Sequence, residues 1–176
     1  MYIELHTERL LLRPLNVSDL QTTNDYATDA ENTRYMIFLP NKNVEETRNF
    51  LARVSAEWQK DEPSFYDFAI VYGSLHVGAV SVSLNDDKTE GVLGWILNKK
   101  YWKKGFATES AFAIKEFAIH QLKVKRLVAY CDSRNLNSAH VMEKIGLSVE
   151  SKGERQYFDQ RGLADELKYS CVVMNA

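Results

Sequence analysis

This chain of 176 residues has no basic stripe, no long apolar run, no cysteine framework and no paired histidines, and each absence removes a class of function. Its 22 basic and 24 acidic side chains are interspersed along the whole length, so nothing corresponds to the continuous positive surface that follows a nucleic-acid backbone. The apolar runs span a few residues, far below the ~20 that cross a bilayer, and the first residues show neither a basic segment nor a small-residue cleavage pattern. A cytoplasmic location is therefore expected, with no nucleic acid and no membrane among the partners. Cys131 and Cys171 are too few and too isolated for a disulfide framework or a zinc site. Both fall in strand-like runs, where an inert buried thiol is the favoured reading and a catalytic thiol the alternative. His6, His76, His120 and His140 lack the one-turn spacing that brings two rings to one ion, so no metal site is expected.

What is present is the composition of a soluble globular chain, 45% hydrophobic and 26% charged, long enough for one sizeable core and read as a single domain over 1–176. Leu10 to Leu12 before Arg13-Pro14 predicts a first strand ended by proline. Ser18 with Gln21 has capping-box spacing and predicts a helix from Asp19 to about Thr28, and Asn43 with Glu46 repeats the signal. The helix that follows carries Thr47, Leu51, Val54 and Trp58 on one face and stops before Pro63. The period then changes. Phe65–Tyr72 and Leu75–Leu84 read as strands joined at Gly73-Ser74, and Gly91–Leu97 as the third strand of a meander. A helix starting near Thr108 shows a small-residue face at Ala107, Ala111, Ile114 and Ala118. Arg126–Cys131 reads as a strand, Asn137–Lys144 as a short helix ending at Gly146, and Leu147–Glu150 and Glu166–Met174 as the last strands, around an ambiguous stretch near Tyr157. The order predicts a mixed α/β, α+β-like domain with a central, mostly antiparallel sheet flanked by helices.

The most informative segment is Tyr101-Trp102-Lys103-Lys104-Gly105-Phe106-Ala107-Thr108-Glu109, between a strand and a helix start. Free N–H groups at a helix N-terminus carry about half a positive charge, glycine lets a phosphate approach the main chain, and the lysines and Thr108 add charge and a donor. Taken alone the segment is also compatible with a helix start that binds nothing. It lacks the spacing of a nucleotide P-loop and the glycine triplet of a dinucleotide fold, which points to a different phosphate-bearing cofactor.

With Thr7-Glu8-Arg9-Leu10-Leu11-Leu12-Arg13-Pro14, Gly94-Trp95-Ile96-Leu97, the loop itself, Asn135-Leu136-Asn137-Ser138 and Met142-Glu143-Lys144-Ile145-Gly146-Leu147 in that order, the chain resembles the GNAT superfamily of N-acetyltransferases, in the branch similar to RimJ and RimL. The resemblance implies the acyl-CoA N-acyltransferase fold and acetyl-CoA as co-substrate. It implies that Lys103, Lys104, Gly105, Phe106, Ala107 and Thr108 wrap the coenzyme diphosphate. Ile96 and Leu97 would lend main-chain groups to the pantetheine and one N–H to the thioester carbonyl, and Asn135 would bond the pantetheine. A homodimer is one assembly open to such a chain.

Transfer needs a neutral amine and a proton for the departing thiolate. The superfamily tyrosine that supplies this proton falls on Met142 here, which cannot donate. The resemblance therefore directs the acid role to Ser138, whose rival reading is a helix-capping serine. The missing tyrosine also keeps a non-catalytic acyl-CoA-binding module among the readings. Glu154, Tyr157, Asp86 and Glu90 are the base candidates, none of them matching a family position, and the favoured reading of each is a solvated surface side chain. The acceptor is expected to be a protein or peptide α-amine, whose pKa near 8 leaves a useful neutral fraction. A closed pocket lined by Tyr35, Phe38 or Tyr157 would instead indicate a small amine.

Overall fold

The computed structural model describes residues 2–173. Its strands are β1 (Leu5–His6), β2 (Leu10–Pro14), β3 (Phe65–Tyr72), β4 (Leu75–Leu84), β5 (Glu90–Leu97), β6 (Arg126–Asp132), β7 (Ser148–Gln156) and β8 (Leu163–Val172). The helices are α1 (Leu20–Ala27), α2 (Val44–Glu57), α3 (Phe106–His120) and α4 (Leu136–Lys144). The sheet runs in the order β1-β2-β3-β4-β5-β6-β8-β7. β5 and β6 are the parallel pair, and every other pairing among the described residues is antiparallel. The mostly antiparallel sheet flanked by helices is the architecture expected from the sequence.

Alternation explains the meander. Along β3, Tyr66, Phe68 and Ile70 are buried while Phe65 and Asp67 on the other side are partly accessible. Phe117 of α3 meets Tyr66 and Phe68 edge-on at 5.3 and 5.5 Å, and Trp58 at the end of α2 meets the same two rings at 5.4 and 5.0 Å. This aromatic knot joins both helices to the sheet, and each of its fully buried apolar side chains contributes about 1.5–3 kcal/mol.

Several boundaries differ from expectation for local reasons. The first capping box belongs to Asn16 and Asp19: Asn16 accepts from the Ser18 N–H at 2.9 Å, and Asp19 accepts from the Asn16 N–H at 3.1 Å. Ser18 cannot be the cap because its hydroxyl donates to Asn16 at 2.6 Å, and a 3-10 turn over Val17–Asp19 precedes α1. At α2, Asn43 caps as expected, accepting from Glu45 and Glu46 N–H, but the Glu46 carboxylate takes the Lys42 N–H in place of the Asn43 one. α3 begins two residues early, at Phe106, because Gly105 takes the left-handed conformation, φ 82°, and accepts the Glu109 N–H at 3.0 Å. β7 continues past Glu150 to Gln156 despite its polar run, as befits an edge strand whose pairing with β8 passes a bulge at Val149/Ser151. β8 starts at Leu163, and Met174, its expected end, lies outside the described residues.

Candidate active site

The ladder between β5 and β6 stops at Leu93 opposite Ala129, although β5 continues to Leu97 and β6 to Asp132. Beyond that point the two strands remain bonded only to their outer neighbours, Gly78 opposite Leu97 and Asp132 opposite Glu166. The sheet therefore splits. Because the two strands are parallel, the loop entering α3 and the N-terminus of α4 both emerge at the open end of the split, which is how residues more than thirty apart in sequence converge. α3 and α4 also touch each other.

Main-chain groups alternate sides along a strand. The Asn98 N–H donates to Val77 at 2.8 Å, so Asn98 and, two residues back, Ile96 face β4, while Trp95 and Leu97 face the split. The Leu97 carbonyl is already occupied: the Asn32 side-chain amide and the Trp102 indole both donate to it at 2.9 Å. What β5 offers a ligand is consequently the N–H of Leu97 and both main-chain groups of Trp95. Of the expected pair, Leu97 is aimed into the split, and the Ile96 main chain is turned away from it. Trp95 packs its ring on the core.

The segment after β5 has the backbone geometry of a cradle with free N–H groups. Lys103 and Gly105 have φ of 62° and 82°, and left-handed residues at such spacing turn successive N–H groups toward one side. Between Trp102, which donates to Lys99, and Glu109, which donates to Gly105, no N–H from Lys103 to Thr108 has a partner among the described residues. The cradle is fixed from outside. The Arg9 guanidinium donates to the Lys104 carbonyl at 2.9 Å and to Glu109 at 2.7 Å, and lies 4.9 Å from the Phe106 ring. Thr7 donates to the same carboxylate at 2.5 Å. Thus the Thr-Glu-Arg segment before β2 braces the start of α3. Lys103, Lys104 and Gly105 are exposed, Ala107 and Thr108 are half-buried, and the Phe106 side chain is buried against Tyr72 at 4.7 Å.

At the N-terminus of α4, Asn135 is the cap and its side chain accepts from the Ser138 N–H at 3.2 Å. This leaves the Asn135 amide hydrogens and the half-buried Ser138 hydroxyl without partners among the described residues. Capping thus accounts for Asn135 and not for Ser138. Met142 is buried in the core, 1% exposed, and has no route to a leaving group.

Asp132, at the end of β6, holds this corner together and was not legible in the sequence. It is fully buried and accepts from the Arg134 main chain and guanidinium and from the Tyr157 hydroxyl, the last at 2.7 Å. The Arg134 guanidinium beside it, helped by Tyr157, holds its carboxyl far below the usual range despite burial. Tyr157 is 2% exposed and its phenol is raised by burial and by Asp132, which removes it as a base and as a wall of an open pocket. Glu90 is paired with Arg126, Glu154 lies exposed on β7, and Asp86 lies exposed in the β4–β5 turn. Cys131 is buried, with a thiol pushed up to about 11 by desolvation, and Cys171 is half-buried and raised for the same reason, so neither is a nucleophile.

The rim beside the split is built by the loop between α1 and α2, and the β7–β8 hairpin clamps it. Arg161 donates to the carbonyls of Thr33, Arg34, Met36 and Leu39 and lies 4.1 Å from the Tyr157 ring, and Arg155 donates to the Tyr35 carbonyl at 3.0 Å. Phe38 and Phe158, exposed at 76% and 73%, stack on each other at 4.9 Å where the two loops meet. Of the three aromatics expected to close a pocket, Tyr157 is buried, Tyr35 is half-buried with the Arg134 guanidinium 5.9 Å from its ring, and Phe38 is an exposed rim ring.

Among the described residues no helix is long and apolar enough to cross a membrane and no cluster of metal-ligating side chains occurs. The chain is 25% identical over 151 residues, 84% of each chain, to the uncharacterized N-acetyltransferase YnaD of Bacillus subtilis. It is 25% identical over 150 residues, 84% of this chain and 77% of the other, to spermidine N(1)-acetyltransferase of Escherichia coli. It shares its fold, with a TM-score of 0.85 over 98% of both chains at 16% identity, with RimL, a ribosomal α-N-protein acetyltransferase solved in complex with coenzyme A. The model of the acetyltransferase (GNAT) domain matches residues 9–148, and with the split sheet and the cradle before α3 in place, the chain belongs to the GNAT acetyltransferase family.

Proposed function

We propose that this acetyltransferase transfers the acetyl group of acetyl-CoA to the α-amine of a protein or peptide N-terminus by direct attack on the thioester. The unpartnered N–H run from Lys103 to Thr108 carries the coenzyme part of the reading: it receives the diphosphate while Lys103 and Lys104 add charge. The pantetheine enters the split between β5 and β6, meeting Trp95, Leu97 and the Asn135 amide. One free N–H of β5 faces the thioester oxygen and stabilises the tetrahedral intermediate, a contribution on the order of 3 kcal/mol. Ser138 delivers a proton to the thiolate as the carbon–sulfur bond breaks. A cytoplasmic location supplies the coenzyme.

The acceptor class rests on the open rim. A peptide chain can leave the split past Phe38 and Phe158, both of which are exposed. The likeness to spermidine N(1)-acetyltransferase supports a second reading, a polyamine acceptor. The two separate in one assay: thiol release from acetyl-CoA with peptides bearing a free N-terminus, the same peptides blocked there but carrying lysine, and spermidine. Turnover confined to free N-termini supports the first reading, and turnover confined to spermidine replaces it with the second.

A further inference from the structure

One face of the sheet beside the split carries a carboxylate that coenzyme binding does not use. β3, β4 and β5 are in register so that Asp67 lies opposite Ser81 and Ser81 opposite Gly94. Opposed residues share a side of the sheet on strands about 4.8 Å apart, so these positions form a row that ends at β5, one residue past the last rung joining β5 to β6. The row is open. Asp67, Ser81 and Gly94 all retain accessible surface, as do Ser83 and Val92 on the same side, whereas the alternating Phe68, Val80, Val82 and Leu93 are buried. Gly94 keeps the passage free, because a β-carbon there would stand 3.1 Å from the Ser81 hydroxyl oxygen.

Ser81 stands directly opposite Asp67 across the β3–β4 pairing, and among the described residues no lysine or arginine forms an ion pair with the Asp67 carboxylate. The groups facing it are accounted for by element. α1 contributes the buried Tyr26 phenol, and the turn before α1 contributes Asp19, which is held by Arg13 of β2 at 2.6 Å and lies 3.9 Å from His76 of β4. From the end of α2 comes the Trp58 indole, which donates to the Asp67 main-chain carbonyl at 3.0 Å.

We propose that Ser81 and Asp67 form the relay that deprotonates the acceptor, an inference that rests on the acetyl-transfer reading above. The ammonium gives a proton to the Ser81 oxygen as the Ser81 hydroxyl proton passes to the Asp67 carboxylate, leaving a neutral amine and a carboxylic acid. The amine lone pair then bonds to the thioester carbon. When the carbon–sulfur bond breaks, Ser138 gives its proton to the thiolate and regains one from solvent, the nitrogen releases its second proton to solvent as the amide forms, and Asp67 returns its proton to solvent, one proton being released per turnover. Ser81 touches the acceptor, and Asp67 acts through it. Burial lifts Asp67 to about 7, which matches it to an α-amine near 8 and requires the carboxylate form for activity. Activity is therefore present above that value and lost as pH falls through it.

The test is kcat/KM from about pH 6 to 9 for the native chain, Asp67→Asn and Ser81→Ala, with the best alkylamine acceptor and with an aromatic amine that is neutral throughout this range. Both variants are expected to lose about 10²-fold on the alkylamine near pH 7, to recover roughly tenfold per pH unit as the free amine forms in solution, and to keep native turnover on the aromatic amine and native acetyl-CoA affinity. A native rate and native acid limb in Asp67→Asn overturn the relay, as does an equal loss on both amines, which marks a structural role. No turnover by the native chain on any amine overturns the transfer reading and the relay together.

Discussion

Asn135 and Ser138 divide one helix start between them, and that division yields the first prediction. Because Asn135 supplies the cap, Ser138→Ala should leave the melting temperature within about 1 °C of native and acetyl-CoA affinity unchanged, while lowering turnover about 10²-fold. A loss of stability without loss of turnover would return Ser138 to the structural role. Asp132 makes the opposite prediction. Asp132→Asn removes the anion on which Arg134 and Tyr157 converge, a cost on the order of 2–3 kcal/mol, read as a melting temperature lower by about 5–10 °C at neutral pH. Since the folded carboxyl is depressed, its stabilisation is present above the unfolded value near 4 and fades as pH falls below it, so the native melting temperature should drop more steeply on acidification than the variant's. Residue roles were legible where a motif fixed them, as at Asn43, the cap of α2. They were hidden where the role depends on a partner far away in sequence: Asp132 needs Tyr157, and Arg161 reads as a turn residue until its four carbonyl partners are seen.

At the scale of elements, the cradle depends on backbone conformation more than on side chains. Gly105→Ala places a β-carbon on a left-handed residue and 3.2 Å from the Arg9 guanidinium, at a cost of about 1–2 kcal/mol. The expected result is acetyl-CoA affinity weakened about tenfold in a calorimetric titration, with Lys103→Ala and Lys104→Ala each weaker in effect and more dependent on salt. The strands of the meander were legible because Phe65–Tyr72 and Leu75–Leu84 alternate and a glycine turn separates them. The extent of β7 was not, since an edge strand needs polar residues and therefore reads as a loop. The α1 cap was misplaced by two residues because Asn16 and Ser18 are both good caps, and only the geometry shows which hydroxyl or amide faces the helix.

Across the whole molecule, the architecture places one interruption in an otherwise continuous sheet and arranges two helix starts at its open end. The order of elements implied a mixed sheet, but where the β5–β6 ladder stops is a property of pairing that no local pattern encodes. The split is walled on one side by the loop between α1 and α2, and Arg161 joins that wall to the β7–β8 hairpin. Arg161→Ala should accelerate hydrogen exchange in 33–40 without altering exchange in α3, and should raise the acceptor KM more than it lowers kcat. On the proposed reading, an acetyl group moves from a thioester to an amine at this split. The most direct test of that reading is to incubate the native chain with acetyl-CoA and the amine panel and to quantify free thiol and acetylated amine in the same sample by absorbance and mass spectrometry. One acetylated amine per thiol is the predicted result, whereas bound coenzyme with neither product, or thiol released without acetylated amine, would contradict the account.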